Sequence, residues 1–123
     1  MKPLGPIPPG FAAMDGVLMI DGVSAEELVA RAGSTPLFVY SSAMLRARAA
    51  QLRAAMPTRL ALHYAMKANP YPPLLQLMAG LVDGFDIASG GELAILQAAG
   101  LDPALVSFAG PGKRDAELEA AIA

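Results

Sequence analysis

Two polar side chains capable of covalent or proton-transfer chemistry lie at the ends of short apolar runs. Lys67 directly follows one such run, and Asp86 lies near the end of the next. A lysine amine in partly desolvated surroundings favours its neutral, nucleophilic form and can then form a Schiff base. A neighbouring carboxylate can orient that amine or carry protons. Alternation along the strand predicts that Lys67 shares a face with His63 and Ala65, whose small side chain leaves room for a planar group.

The same residues also have plain structural interpretations, and position alone does not exclude them. Lys67 can extend into solvent, as lysines at strand ends commonly do. Asp86 can be one half of an ordinary ion pair or the acid of a turn. His63 is the single histidine, and a lone histidine in an apolar strand is most simply a core residue. Since no second histidine and no cysteine occur, a metal site is not predicted.

A second candidate segment combines glycines with a carboxylate. Ser89 and Glu92 have the spacing of a capping box at the start of a helix. Gly90 and Gly91, which stand between them, allow either a close backbone approach or room for a ligand. In the functional interpretation, Glu92 is an inward-facing carboxylate. The loop 110–113, Gly-Pro-Gly-Lys, could also cradle a ligand, although such loops are common connectors.

From about residue 59, short apolar strands alternate with helices. Strands are predicted at 60–65, 82–88 and 106–109, and helices at 73–79, at 90–99 and from Asp115 to the end of the chain. Strands that are apolar on both faces and alternate with helices are typical of a parallel sheet covered by helices. An open doubly wound sheet and a (β/α)8 barrel both fit. No glycine-rich nucleotide motif follows any strand, which weakens the nucleotide-binding versions of the open sheet.

The residues before this alternation follow a different pattern. Residues 1–15 are rich in proline and glycine and are predicted to be irregular. The expected elements after them are a strand at 17–20, a helix from Ser24 to Gly33, a buried strand at 37–40 and a helix from Ser41 or Ser42 to about Met56.

Composition limits the classes of function. The chain has 123 residues, of which 54% are hydrophobic and 16% charged, which argues against disorder. Its net charge of -2, with no basic block, gives no electrostatic footprint for nucleic acid or an acidic membrane surface. The proline-rich start lacks the apolar core of a signal peptide, and no apolar run reaches the roughly 20 residues of a membrane span. Absence of cysteine fits a reducing compartment, so a cytoplasmic protein is expected.

Three ordered motifs resemble those of the fold-type III pyridoxal-phosphate decarboxylases, which include diaminopimelate, ornithine and arginine decarboxylases. Tyr64–Pro70 resembles the cofactor-lysine motif of that family, Phe85–Leu93 its second signature, and Phe108–Lys113 the loop after its third strand. The Ser-Gly-Gly-Glu of the second motif favours the diaminopimelate-like branch. Residues 2–11 are further similar to a bacterial subgroup associated with exosortase and exopolysaccharide systems.

The resemblance implies an amino-acid decarboxylase that carries pyridoxal 5'-phosphate on Lys67 as a Schiff base. Asp86 and Glu92 are then expected near the cofactor and the lysine, where they would tune protonation. The implied fold is α/β, namely the N-terminal part of an alanine racemase-like (β/α)8 TIM barrel with about three βα units. Residues 36–123 would form this partial barrel, and residues 1–35 an arm, strand and helix that contribute to a second, β-rich domain.

The resemblance also bears on partners. It implies a small amino-acid substrate, no nucleic-acid or membrane partner, and a homodimer for the full-length family. The stacking histidine, the phosphate loop and the dimer-contributed residues of the family fall beyond position 123, so we expect this chain alone to be an inactive fragment. A racemase-like barrel protein and a catalytically inactive fragment are the alternatives, and the identity of the amino acid is not predicted.

Overall fold

The computed structural model describes residues 8–101 and 106–122. The chain divides into two compact units, Met1–Arg48 and Ala49–Ala123. Residues 2–7, which make up most of the segment 2–11 whose resemblance to a bacterial subgroup was noted above, lie outside the described residues. In the described part of the chain, no helix is both long and apolar enough to cross a membrane.

The first unit contains an antiparallel sheet of three short strands in sequential order, β1 (Phe11–Met14), β2 (Val17–Ile20) and β3 (Val23–Ser24). The strand predicted at 17–20 is confirmed. The prediction that residues 1–15 are irregular is wrong for 11–14, because this segment pairs with β2 along its whole length.

Two Asp-Gly turns set the register of this sheet. Asp15 and Gly16 join β1 to β2 with φ angles of 50° and 80°, and Asp21 and Gly22 join β2 to β3 with 51° and 79°. Two consecutive positive φ angles define the type I′ hairpin turn, which matches the twist of the flanking strands and which Asp-Gly adopts readily. The turn residues therefore carried a hairpin signal for β1 as well as for β2.

The helix α1 (Ala25–Ala32) follows β3 directly. The Ser24 hydroxyl accepts a hydrogen bond from the Glu27 amide at 3.1 Å, and Gly33 ends the helix in the left-handed conformation with φ 81°. The serine half of the predicted capping box and the glycine stop are confirmed, whereas the Glu27 carboxylate pairs with Arg31.

The buried strand predicted at 37–40 is wrong. This segment forms neither strand nor helix and is exposed along its length, with Phe38 87% and Tyr40 54% accessible. An apolar run becomes a strand only when another strand satisfies its backbone groups, and none of the described strands pairs with these residues. Helix α2 (Ser42–Ala55) comes next as predicted, and the Ser41 hydroxyl caps it by accepting from the Met44 amide at 3.1 Å.

The second unit contains a parallel sheet with β5 in its centre, between β4 (His63–Ala65) and β6 (Val106–Phe108); β5 covers Gly84–Ile87. Three helices follow the strands in turn: α3 (Pro72–Ala79), α4 (Gly90–Ala98) and α5 (Asp115–Ile122). The predicted alternation is confirmed, although each strand is shorter than expected. At the start of β4, for example, the Leu62 amide binds the Asp83 carboxylate instead of a strand partner.

The two faces of this sheet differ in character. Register places Tyr64, Phe85 and Val106 side by side on one face, where the Tyr64 and Phe85 rings meet edge to face at 6.2 Å. Phe85 and Ile87 belong to the buried core, which they share with side chains of α3 and α4: Leu74, Leu75, Met78, Leu93 and Leu96. Because strand residues alternate between faces, Asp86 lies on the opposite face, beside its register partners Ala65 and Ser107.

We expect Ile87→Ala to lower the free energy of unfolding by about 2–5 kcal/mol, because the side chain is 0% accessible and its removal leaves a cavity. Ile122 is 86% accessible, so Ile122→Ala is a matched control with an expected cost below about 0.5 kcal/mol. Urea denaturation of both variants measures the difference. Equal losses would contradict the placement of the core.

Asp83 gives the second unit a pH-dependent contact. Its carboxylate accepts from Arg53 at 2.7 Å and from the Leu62 amide at 2.6 Å. Both bonds lower the pKa of Asp83 below its ordinary value, and the bond with the Arg53 side chain has the larger effect. A carboxyl group whose folded-state pKa is depressed stabilises the fold above its unfolded-state pKa, and that contribution is lost as the pH falls through the folded-state value.

We therefore expect Asp83→Asn to destabilise the protein at neutral pH and to have a smaller effect well below pH ~4, the ordinary aspartate range. Denaturant midpoints across this range test it. Glu119→Gln is the control, since Glu119 is exposed and has no hydrogen-bond partner among the described residues. A cost that is independent of pH would contradict the role of the ionised carboxylate.

Candidate functional site

Lys67 lies in a 3₁₀ turn, Met66–Ala68, directly after β4. The alternation of the strand therefore stops at Ala65, and Lys67 does not continue the face of His63. Met66 takes the core position and is 0% accessible, whereas Lys67 is exposed. The expected partial desolvation of Lys67 is thus wrong within the described residues, because burial of Met66 turns the next side chain outward. The Lys67 amine makes no hydrogen bond or ion pair there.

Asp86 lies at the same end of the sheet as Lys67. It pairs in register with Ala65, two residues before the lysine. The Asp86 side chain is half-buried, and its Oδ1 accepts a hydrogen bond from the Ser107 hydroxyl at 2.8 Å. No ion pair joins Asp86 to Lys67 in the described part of the chain. The simple ion-pair interpretation of Asp86 therefore has no support.

His63 is tied to the same serine. Its Nδ1 lies 3.1 Å from the Ser107 hydroxyl, and the ring is half-buried. His63, Ser107 and Asp86 thus come from three neighbouring strands and lie on the face of the sheet opposite Phe85. The interpretation of His63 as a core histidine does not match this position.

Glu92 takes part in the cap of α4. Its amide donates to the Ser89 hydroxyl at 3.2 Å, and its Oε2 accepts from the Ala88 amide at 2.6 Å. This is the predicted capping box, shifted by one residue because the carboxylate reaches Ala88 and not Ser89 itself. Glu92 thereby fastens the start of α4 to the end of β5.

The space beside Gly90 is filled by α5 and not left for a ligand. Glu117 accepts from the Gly90 amide at 2.8 Å and from the Arg114 amide at 3.0 Å. A Cβ at position 90 would stand 2.9 Å from the Glu117 side chain. The hydrogen bonds from the backbone amides lower the pKa of Glu117, and the bond from Arg114 has a larger effect than the bond from Gly90. Since a carboxylate of the chain itself already sits at this helix start, the structure favours the close-approach interpretation of Gly90 over the one that left room for a ligand.

The loop after β6 is anchored by its own residues. Gly110 has φ 148°, and a Cβ there would come within 3.1 Å of the Ala88 carbonyl oxygen, so the loop passes close to the end of β5. Lys113 donates to the Phe108 carbonyl at 2.8 Å and lies 5.6 Å from the centre of the Phe108 ring. Its amine is therefore engaged, unlike that of Lys67.

Sequence reasoning missed Ser107 as a site residue and assigned His63 to the core. The signal for Ser107 was its position in Val-Ser-Phe, where one polar side chain interrupts an apolar strand as Asp86 does in Phe-Asp-Ile. What the sequence could not supply was the register that makes Ser107 the neighbour of Asp86.

The cap at the start of α4 can be tested by itself. We expect Ser89→Ala to lower the free energy of unfolding by about 1 kcal/mol, because the Glu92 amide loses its acceptor. Ser89→Asp should retain most of the stability, since a carboxylate also accepts at a helix start. Ser42→Ala is the control, an exposed serine with no side-chain hydrogen bond among the described residues. Equal effects of the two alanine substitutions would argue against the cap.

Comparison with known proteins identifies similar sequences. The profile described as "Pyridoxal-dependent decarboxylase, pyridoxal binding domain" matches residues 42–123. A diaminopimelate decarboxylase of Aquifex aeolicus is 45% identical over 108 residues, covering 88% of this chain and 25% of its own length. A lysine/ornithine decarboxylase of Selenomonas ruminantium is 41% identical over 87 residues, covering 71% of this chain and 22% of its own.

A solved structure supports the same relationship at the level of the fold. The crystal structure of an Aquifex aeolicus protein, 42% identical, superposes with a TM-score of 0.81 and covers 93% of this chain and 28% of that one. The fold-class prediction, a portion of the α/β barrel of these decarboxylases, is confirmed. The chain spans about a quarter of the length of the relatives that it matches.

Proposed function

The chain belongs to the pyridoxal-dependent decarboxylase family, whose pyridoxal binding domain matches residues 42–123, and we propose that it serves a pyridoxal-phosphate-dependent amino-acid decarboxylase. In this proposal Lys67 holds the cofactor, and Asp86 and Glu92 lie near it. The observation that carries the proposal is the Lys67 amine. It is exposed and unengaged at the carboxyl end of β4, at the sheet end where Asp86 lies.

The described lysines include one whose amine is available to react with the aldehyde of the cofactor. An aldehyde needs an amine that is not already committed, and Lys67 supplies one. Lys113, the other described lysine, has its amine bonded to the Phe108 carbonyl. The carboxyl ends of parallel strands are also where α/β barrels locate their active sites.

Pyridoxal phosphate, when bound, supplies an electron sink that accepts the electron pair left as carbon dioxide departs. The chain's own residues then have separate tasks. Lys67 provides the amine that attaches the cofactor and that a substrate amine would displace. Asp86 offers the carboxylate oxygen that Ser107 does not occupy, Oδ2, to orient the lysine or to take up its proton. Glu92 holds the end of β5 by accepting from the Ala88 amide through Oε2, and Oε1 has no hydrogen bond among the described residues.

The substrate class follows from the relatives, whose names specify diaminopimelate and lysine or ornithine. These share an α-amino and an α-carboxylate group, so we propose a small amino acid as substrate. Membership of the diaminopimelate-like branch and of the exosortase-associated subgroup are narrower proposals. They are supported by Ser-Gly-Gly-Glu at 89–92 and by residues 2–11 respectively.

Further proposals concern the whole protein. Residues 36–123 would form the partial barrel and residues 1–35 would contribute to a second, β-rich domain, which the antiparallel β1–β3 sheet supports. A homodimer is proposed by analogy with the family. A cytoplasmic location is proposed because the absence of cysteine fits a reducing compartment.

Reductive trapping tests the central proposal. The protein is incubated with pyridoxal phosphate, reduced with borohydride, and the modified lysine is mapped by mass spectrometry. We expect modification at Lys67 in preference to Lys2 and Lys113, because the amine of Lys113 is engaged and Lys2 is remote in sequence from the motifs. Lys67→Arg should abolish the preferred label while keeping the charge, and Lys113→Arg is the matched control. Equal labelling of all three lysines would contradict the proposal.

A further inference from the structure

A chain of hydrogen bonds crosses the three parallel strands on the face of Asp86. It runs from His63 on β4 to Ser107 on β6 at 3.1 Å, and from Ser107 to Asp86 on β5 at 2.8 Å. All three side chains are half-buried. The hydrogen-bond chain ends at the Asp86 carboxylate. Asp86 pairs in register with Ala65, which is two residues before Lys67.

Counting donors fixes the direction of this chain. An ionised carboxylate only accepts hydrogen bonds, and a serine hydroxyl has a single proton to donate. Since that proton goes to Asp86 Oδ1, the Ser107 oxygen must accept from His63 Nδ1. The neutral His63 ring therefore carries its proton on Nδ1, the tautomer that a free histidine side chain populates less, and Nε2 keeps its lone pair.

The pairing of His63, Ser107 and Asp86 is not required by burial. The hydrophobic core, which includes Phe85 and Ile87, lies on the other face of the sheet. Because the Ser107 hydroxyl and the His63 imidazole are only half-buried, water could satisfy their hydrogen bonds even if they did not pair with each other. Here the imidazole instead pairs with the Ser107 hydroxyl, and that hydroxyl pairs with Asp86. One carboxylate oxygen of Asp86 accepts this bond, and Oδ2 has no hydrogen bond among the described residues.

We propose that Ser107 and His63 are positioning residues: His63 Nδ1 orients the Ser107 hydroxyl, which in turn orients Asp86 toward the lysine. The role of Asp86 as target rests on the proposed function, whereas the hydrogen-bond relay itself requires no cofactor. Neither residue needs to touch substrate, because each acts through Asp86.

His63 is the only histidine, so its ring nitrogens give an unambiguous nuclear magnetic resonance signature. With the His63 ring neutral, we expect a protonated Nδ1 and an unprotonated Nε2 in the unmodified protein. Asp86→Ala should reverse this, because the Ser107 hydroxyl would then donate to Nδ1 and the ring proton would move to Nε2. This response reaches a residue to which Asp86 makes no direct hydrogen bond, so a packing role alone would not produce it.

Three comparisons complete the test. Ser107→Ala should also shift the ring toward the Nε2-protonated form, and Ser107→Thr should restore the original nitrogen signals because it keeps the hydroxyl. Asp115→Ala, at the exposed start of α5, is the matched acid control and should leave the ring unchanged. An Nε2-protonated ring in the unmodified protein, or a ring that ignores Asp86→Ala, overturns the relay.

Trapping at Lys67 in the same variants separates the relay from the proposed function. Positioning predicts a loss of Lys67 labelling in Ser107→Ala and its recovery in Ser107→Thr. If Lys67 labels equally in both while the tautomer shifts, Ser107 does not position Asp86 for the lysine and the inference fails, although the proposed function stands. If no variant, nor the unmodified protein, labels preferentially at Lys67, the proposed function fails and the positioning role with it, while the tautomer result reports on the relay separately.

Discussion

The central strand of the parallel sheet imposes the constraint on which the second unit depends. Strand β5 carries Phe-Asp-Ile at 85–87, and burial of the two apolar residues with α3 and α4 commits that face to the core. Because successive residues point to opposite faces, the aspartate has to lie on the other side. The same burial that stabilises the unit therefore also places a carboxylate where the neighbouring strands can supply Ser107 and His63.

Most of the polar side chains near the ends of the strands are hydrogen-bonded to backbone groups. At the start of α4, the Ser89, Glu92 and Glu117 side chains accept from backbone amides and thereby satisfy donors that a helix start would otherwise leave unpaired. Lys113 is committed to the loop after β6 in the same way. Among the described residues, the Lys67 amine is left unengaged, which is why we propose a site centred on β4 and β5 and not on the helix start.

Several features could be predicted from the sequence because they depend on local chemistry. The caps at Ser24, Ser41 and Ser89 and the stop at Gly33 need only nearby residues, and the alternation of strands and helices follows from apolar spacing. What failed depended on distant partners. The run 37–40 needed a pairing strand, and the environment of Lys67 depended on the core position taken by Met66.

The polar face illustrates the same limit within the site. The three polar residues on this face come from three strands that are far apart in the sequence. The register of the sheet therefore decides that Ser107 lies beside Asp86, and His63 is linked to Asp86 through the Ser107 hydroxyl. The sequence motif singled out Lys67 and Asp86 but not Ser107 and His63, which are hydrogen-bonded in sequence to Asp86. For Gly90 the sequence left close approach and ligand room both open, because the glutamate that fills the space comes from a later helix.

We propose that the carboxyl end of this sheet, on the face of Asp86, receives the cofactor. A titration with pyridoxal phosphate, followed through the backbone amide signals of the isotope-labelled protein by nuclear magnetic resonance, tests this proposal. We expect the largest shifts to cluster at 63–69, 84–89 and 106–110. Shifts centred on Lys113 and α5, or scattered evenly over the chain, would contradict it.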